Sequence, residues 1–227
     1  RGDFGLLFVV GEEKGSDGAR KANTLDNRCE YLINGEPTRN NIVSGTKGVL
    51  RVLISSSGRA AHSSCPELGD SAIEKLLDIL QALREHTWPV RESLGTTTLN
   101  IGTLKGGSAG NVVADSAEAE VMFRTVIPSA EMKEMFEDSL AQEAEITYIT
   151  ELDPVKTFTL GTDHQESDSF ATDINYLDQW GVPVLVGHGS IEDAHSEGEK
   201  ISKQELTAAV DIYTELVSYL LEKTRDK

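Results

Sequence analysis

Glu12 and Glu13 stand side by side directly after an apolar run, Gly5 to Val10. Surface exposure is the ordinary fate of such a pair, and Lys14 beside it suits that reading. Position argues for chemistry. A short branched run stopped by Gly11 reads as a strand buried on both faces. The loops past the C-terminal ends of such strands are where open α/β sheets bind ligands. There one carboxylate can hold a metal while its neighbour takes a proton from metal-bound water. Glu36, in Gly35-Glu36-Pro37-Thr38, follows a second run, Tyr31 to Ile33. Alone it reads as a turn carboxylate, because Pro37 favours a turn. His195 lies in Asp193-Ala194-His195-Ser196-Glu197, beyond a third run, Val182 to Val186. Neutral imidazole is the commonest protein metal ligand. Two carboxylates and one imidazole past three strand ends make a coherent set for zinc. His62 reads as a turn histidine, His86 and His164 as exposed loop residues, and His188 as a pocket-lining residue between Gly187 and Gly189.

The elements that must position these residues fall into two patterns. The three runs above belong to an α/β sheet, with a helix expected over 169–180 and a long closing helix over 203–222. Between them the pattern changes. Strands are expected over 49–54, 96–104, 112–113 with 117–125, and 145–151. Helices are expected over 71–84, from the helical spacing of Ile73, Leu76, Leu77, Leu80 and Leu83, and over 130–144, with Ser129 as N-cap. This β-α-β-β-α-β order is that of a ferredoxin-like split βαβ unit. The fold class is therefore α/β: a discontinuous α/β domain (1–41 and 152–227) with an inserted α+β domain over 42–151.

Composition excludes some functions. The 227 residues carry a formal charge of −17, which opposes binding to nucleic acid or anionic membranes. The 38% of hydrophobic residues suffice for a core. Two cysteines, Cys29 and Cys65, make neither a disulfide framework nor a Cys-x-x-Cys zinc site, and two free thiols or a single disulfide both remain open. The chain starts at Arg1, so localisation is left undecided between cytoplasmic and secreted.

Seven segments occur in one order: Gly11-Glu12-Glu13, Gly35-Glu36-Pro37-Thr38, Gly45-Thr46-Lys47-Gly48, Ala61-His62-Ser63, Gly110-Asn111-Val112-Val113, Arg124, and Gly189-Ser190-Ile191-Glu192-Asp193-Ala194-His195. Together they resemble the M20 metallopeptidase family, over nearly the whole chain. The last segment looks closest to the acetylornithine deacetylase branch and also resembles fungal carboxypeptidase-like members. The resemblance implies a hydrolase of amide bonds in N-acyl amino acids or small peptides. It implies two zinc ions per complete site, for which cobalt or manganese would suit the same ligands. Glu12 matches the general base. Glu13 and His195 match ligands of one metal, and Glu36 a ligand of the other. His62 matches the histidine that stabilises the oxyanion in a partner subunit's site. Asn111 and Arg124 match substrate-binding residues, and the inserted domain matches a dimerisation domain, so a homodimer is expected.

One departure stands out. The family pattern includes an upstream His-x-Asp motif and a further bridging Asp, and no histidine of this chain is followed two residues on by Asp. A catalytic zinc normally has three protein ligands. The expectation is thus the C-terminal part of a longer enzyme, inactive alone, with a non-catalytic dimerisation or binding module as the alternative.

Overall fold

The computed structural model describes residues 3–140, 144–161 and 171–225. The chain divides into two compact units, a discontinuous one (1–46 with 155–227) and an inserted one (47–154).

The discontinuous unit opens with a short 3-10 turn, Glu12–Lys14, and the helix α1, Asp17–Ala22. Two strands follow, β1 (Tyr31–Asn34) and β2 (Gly45–Thr46). The inserted unit then contributes β3 (Gly48–Ser57), α2 (Ala72–Glu85), the short hairpin strands β4 (Val90–Arg91) and β5 (Gly95–Thr96), β6 (Thr98–Gly106), β7 (Ser116–Thr125), α3 (Ser129–Asp138) and β8 (Glu145–Leu152). The chain returns to the first unit through β9 (Val155–Lys156), β10 (Val182–Leu185) and α4 (Lys203–Arg225).

In the discontinuous unit β1 and β10 pair in parallel, Tyr31 opposite Val182 and Asn34 opposite Leu185. Side chains on both faces of this pair pack against other elements, which suits its nearly all apolar sequence. Val184 and Val186, with Tyr31 and Ile33, pack on Leu216 and Leu220 of α4. Leu185 points to the other side, with Val43 and Ile174. Leu32 joins Ala19, Ala22 and Leu177. The β2 and β9 strands pair antiparallel.

The inserted unit is a four-stranded antiparallel sheet in the order β6-β7-β3-β8. With two helices in β-α-β-β-α-β sequence, this is the ferredoxin-like arrangement. Alternate residues of β3 (Leu50, Val52, Ile54) and β7 (Ala117, Ala119, Val121, Phe123) face one core. Leu76, Ile79, Leu80 and Leu83 of α2 and Met132 and Phe136 of α3 close it. Phe123 sits mid-way in a row of edge-to-face rings, 4.7 Å from Trp88 and 5.9 Å from Phe136. Ser71 caps α2 by accepting from the Glu74 N–H. Gly48 is required at the start of β3, since a Cβ there would strike the Leu152 carbonyl and Pro154.

Several expectations are corrected. The run Gly5–Val10 forms no strand; Phe4, Leu6, Phe8 and Val10 are exposed, and only Val9 packs, against the Ala19 cluster. The run takes part in no described strand pairing, and apolar content alone does not make a strand. The helix expected over 169–180 is a single 3-10 turn, Asp173–Tyr176; residues 169–170 lie outside the described ones. Thr172 and Asn175 form a reciprocal capping box around it, and Leu177 leaves helical geometry. Val112 makes one bridge to His62, and Val113 belongs to no strand. Pro128, not Ser129, holds the N-cap position of α3, without a side-chain cap, and the Ser129 N–H and hydroxyl both donate to Asp153 Oδ1; α3 ends at Asp138. His86 is half-buried and stacks on Trp88 at 4.4 Å, while His188 is exposed, and His164 lies outside the described residues. Both cysteines are free and exposed.

Phe123→Ala is expected to lower the stability of the inserted unit by about 3–5 kcal/mol. Phe8→Ser is expected to change stability by less than about 0.5 kcal/mol, since Phe8 is 86% exposed. Denaturant unfolding of both variants checks the pair, and a large loss from Phe8→Ser would restore that run to a core.

Candidate active site

The acidic pair is held out by backbone geometry. Gly11 and Gly15 take left-handed conformations at φ 82° and 105°. The Gly11 carbonyl accepts from the N–H groups of Lys14 (3.0 Å) and Ser16 (2.7 Å). The result is one tight turn that displays Glu12 and Glu13 together. Glu12 is half-buried and Glu13 exposed.

Glu36 is held by packing. Beyond β1 the chain meets the loop that follows β10, and a Cβ on Gly187 would run into the Glu36 backbone. The buried Thr38 hydroxyl donates to the Asn41 carbonyl (2.7 Å) and accepts from the Gly187 N–H (3.0 Å). Tyr213 of α4 donates to the Val186 carbonyl (2.8 Å), with its hydroxyl 3.0 Å from where a Gly35 Cβ would stand. The Asn34 amide donates to Glu36 Oε1 at 3.3 Å.

His195 reaches the site from the loop after β10. It takes a left-handed φ of 59°, and its N–H donates to Glu199 Oε2 at 3.2 Å. Its Nε2 lies 3.4 Å from Glu13 Oε1. The structure thus brings together the two residues expected to share one metal.

The electrostatics tie these groups into one cluster. Burial raises the Glu12 pKa, helped by the charges of Glu13 and Asp173 and opposed by His195. Burial also raises Glu36, to about 7, and Glu12 adds to the rise while the Asn34 hydrogen bond opposes it. Asp173 acts on both glutamates, is only 4% exposed, and keeps Oδ1 without a hydrogen-bond partner. The expected helix hid this residue. The Thr172-Asp173 pair, a cap followed by an acid shortly before a buried strand, is the signal that could have found it.

Among the described residues, no three His, Cys, Asp or Glu side chains close around one point. The donors fit a divalent cation in kind: hard carboxylates, one imidazole, and crowded acids whose charge a cation would relieve. They amount to a pair, Glu13 with His195, and Glu36 apart from it.

His62, Asn111 and Arg124 belong to the inserted unit. His62 bridges to Val112, the Ser63 N–H donates to the Asn111 carbonyl (3.0 Å), and the Val113 N–H donates to the Ala61 carbonyl (2.9 Å). These contacts set His62 and Asn111, both exposed, side by side. Arg124 lies on β7 between Val49 and Thr98, half-buried, and burial lowers its pKa.

A family model described as a peptidase dimerisation domain (M20_dimer) matches residues 44–149. A peptidase M20 domain-containing protein of Schizosaccharomyces pombe is 35% identical over 224 residues, covering 97% of this chain and 56% of that protein. A probable carboxypeptidase of Ajellomyces capsulatus is 36% identical over 245 residues, covering 94% and 56%. The chain therefore spans little more than half the length of these relatives. Among solved structures, a tripeptidase of Staphylococcus aureus aligns with TM-score 0.72 and 23% identity over 94% of this chain and 63% of that one. The YXEP protein of Bacillus subtilis, described as a dinuclear metal binding peptidase from the M20 family, aligns with TM-score 0.66 and 20% identity over 95% and 64%. Both structures share the fold.

Glu36 is expected to titrate with a midpoint near 7 in the metal-free chain, read from its side-chain carboxyl carbon by NMR. Glu12→Gln should lower that midpoint more than Asp173→Asn, because Glu12 is the larger charge acting on it. A carboxyl whose folded pKa lies above the ordinary 4.5 favours the folded state at low pH. Its contribution should be full below about pH 4.5 and lost as pH rises toward 7.

Proposed function

Because the chain belongs to the M20 peptidase family, we propose that it carries the proton-accepting and substrate-binding residues of a zinc-dependent hydrolase of amide bonds in N-acyl amino acids or short peptides. The observation that carries this reading is the approach of His195 to Glu13 beside a half-buried Glu12.

Glu13 and His195 would hold one zinc ion and Glu36 a second, with cobalt or manganese suited to the same donors. A bound metal supplies Lewis acidity and makes water a nucleophile near neutral pH. The residues of the chain do the rest. Glu12 accepts the proton of the attacking water, and the burial that raises its pKa brings it nearer the working range of a general base. It returns that proton to the leaving amine. His62 donates to the carbonyl oxygen as negative charge develops there. Asn111 hydrogen-bonds the substrate. Arg124 binds a carboxylate, as a bidentate guanidinium does best; its partial burial strengthens such a pair. The dimerisation domain matched over 44–149 supports a homodimer, in which His62 serves the partner subunit's site.

A second reading is a dimerisation or binding module without catalysis. The lack of three converging donors among the described residues favours it. The two readings differ in metal content. We expect the purified chain, dialysed against micromolar zinc, to retain clearly fewer than two ions, since its donors leave each ion below the three protein ligands of a catalytic zinc. Elemental analysis beside a mass measurement decides. Two zincs per chain would overturn the ligand count, and a tight metal-free dimer of twice 24.7 kDa would favour the module. In a form of the enzyme that carries the complete metal site, Glu12→Gln should lower hydrolysis of an N-acetyl amino acid by about 10²-fold or more while zinc binding persists. Turnover at the parent rate in that variant would remove Glu12 as the base.

A further inference from the structure

We propose that Ser64 is a positioning residue for His62, fixing the imidazole in the tautomer that carries its proton on Nε2. This rests on the reading of His62 as the donor to the carbonyl oxygen. A neutral imidazole has one donor and one acceptor nitrogen. A backbone N–H can only donate, and the Ser64 N–H is directed at His62 Nδ1 at 3.2 Å. Nδ1 is therefore the acceptor and holds no proton. The Ser64 hydroxyl lies 2.8 Å from the same nitrogen, and with Nδ1 bare it is the hydroxyl that donates. Its lone pairs are then turned to the Cys65 thiol, at 3.8 Å, which donates to it. The chain runs Cys65 S–H to Ser64 O–H to His62 Nδ1.

The backbone holds the ring where this contact works. The Cys65 N–H donates to the His62 carbonyl (2.9 Å) and closes a turn over residues 62–65. The bridge to Val112 and the bond from the Ser63 N–H to the Asn111 carbonyl anchor that turn. Gly69 lies against it, where a Cβ would meet Val113 at 2.9 Å and Ala61 at 3.0 Å. Among the described residues Nε2 makes no hydrogen bond, so its proton is directed outward. The tautomer matters because a donor to an oxyanion must present N–H. The other tautomer would turn a lone pair toward negative charge.

The test uses the metal-free chain with ¹⁵N-labelled histidine, at alkaline pH where imidazole is neutral. Two-bond ¹⁵N–¹H correlations read which nitrogen is protonated, and His62→Gln assigns the signals. We expect a bare Nδ1 and a protonated Nε2 in the folded chain, more completely than for the same residue in urea. Ser64→Ala removes the hydroxyl but keeps the backbone N–H, so it should move the populations part of the way toward the urea value with the amide spectrum otherwise unchanged, and Ser64→Thr should restore them. A protonated Nδ1 in the parent, or an unchanged tautomer in Ser64→Ala, would overturn the proposal. A merely structural Ser64 would change stability without moving these shifts. Neither metal nor substrate enters the measurement. A fixed tautomer in a chain that never hydrolyses an amide would count against the hydrolase reading alone.

Discussion

The buried hydroxyl of Thr38 joins the two loops on which the carboxylate site depends. It accepts from the Gly187 N–H and donates to the Asn41 carbonyl, so the segment after β1 and the segment after β10 are fastened at one atom. The fastening works only because Gly187 has no side chain to hold the Glu36 backbone away. A parallel pair of strands brings its two C-terminal ends to one edge, and whatever follows them must share a small space. Here the sharing is done by backbone against backbone. Glu36 is pressed into the low-dielectric side of the loop, while His195, further along the second segment, stays exposed beside Glu13.

That placement has an electrostatic cost, which the fold accepts in one locality. A chain of net charge −17 could disperse its acids over solvent. Instead burial raises the proton affinity of Glu12 and Glu36, and the charges of neighbouring acids, the buried Asp173 among them, add to the rise. An uncompensated acidic cluster of this kind is unfavourable without protons or a cation. Asn34 offsets part of the cost at Glu36, and His195 part at Glu12. The orphan oxygen of Asp173 is left with no compensation among the described residues. Groups perturbed by burial and neighbouring charge cluster at functional sites.

Much of this was readable from residue types. The alternation through β3 and β7, the helical spacing of α2 and the apolar strands β1 and β10 each follow from a local period that the core then confirms. The acidic pair after Gly11 and Glu36 before Pro37 were readable from their place behind apolar runs. The failures have a common physical form. Gly5–Val10 has the composition of a strand but makes no described ladder, and pairing is a property of two segments. The helix expected over 169–180 was lost to side chains of Thr172 and Asn175 that bond the backbone in place of helical partners. Asp173 went unseen for the same reason. Leu77 was read as core from its spacing and is 45% exposed, because Ile79 takes the inward place on α2.

Val112-Val113 makes the same argument from the other side. Two adjacent β-branched residues suggested a strand, and their backbones do seek extended partners. Their partners, His62 and Ala61, are not in a strand either. A single bridge and two flanking hydrogen bonds are enough to place an exposed histidine beside an exposed asparagine without extending the sheet. Continuing the ladder would have tied both side chains into alternating faces, one turned away from the other. Stopping it after one bridge leaves residues 62–65 free to close their own turn, and that turn brings the Ser64 N–H and hydroxyl onto the imidazole. The carboxylates are therefore fixed by long-range packing between loops, whereas the histidine is fixed by neighbours two residues away. The second kind of positioning is local: the turn, its bridge to Val112 and the flanking hydrogen bonds to Asn111 and Val113 hold the ring.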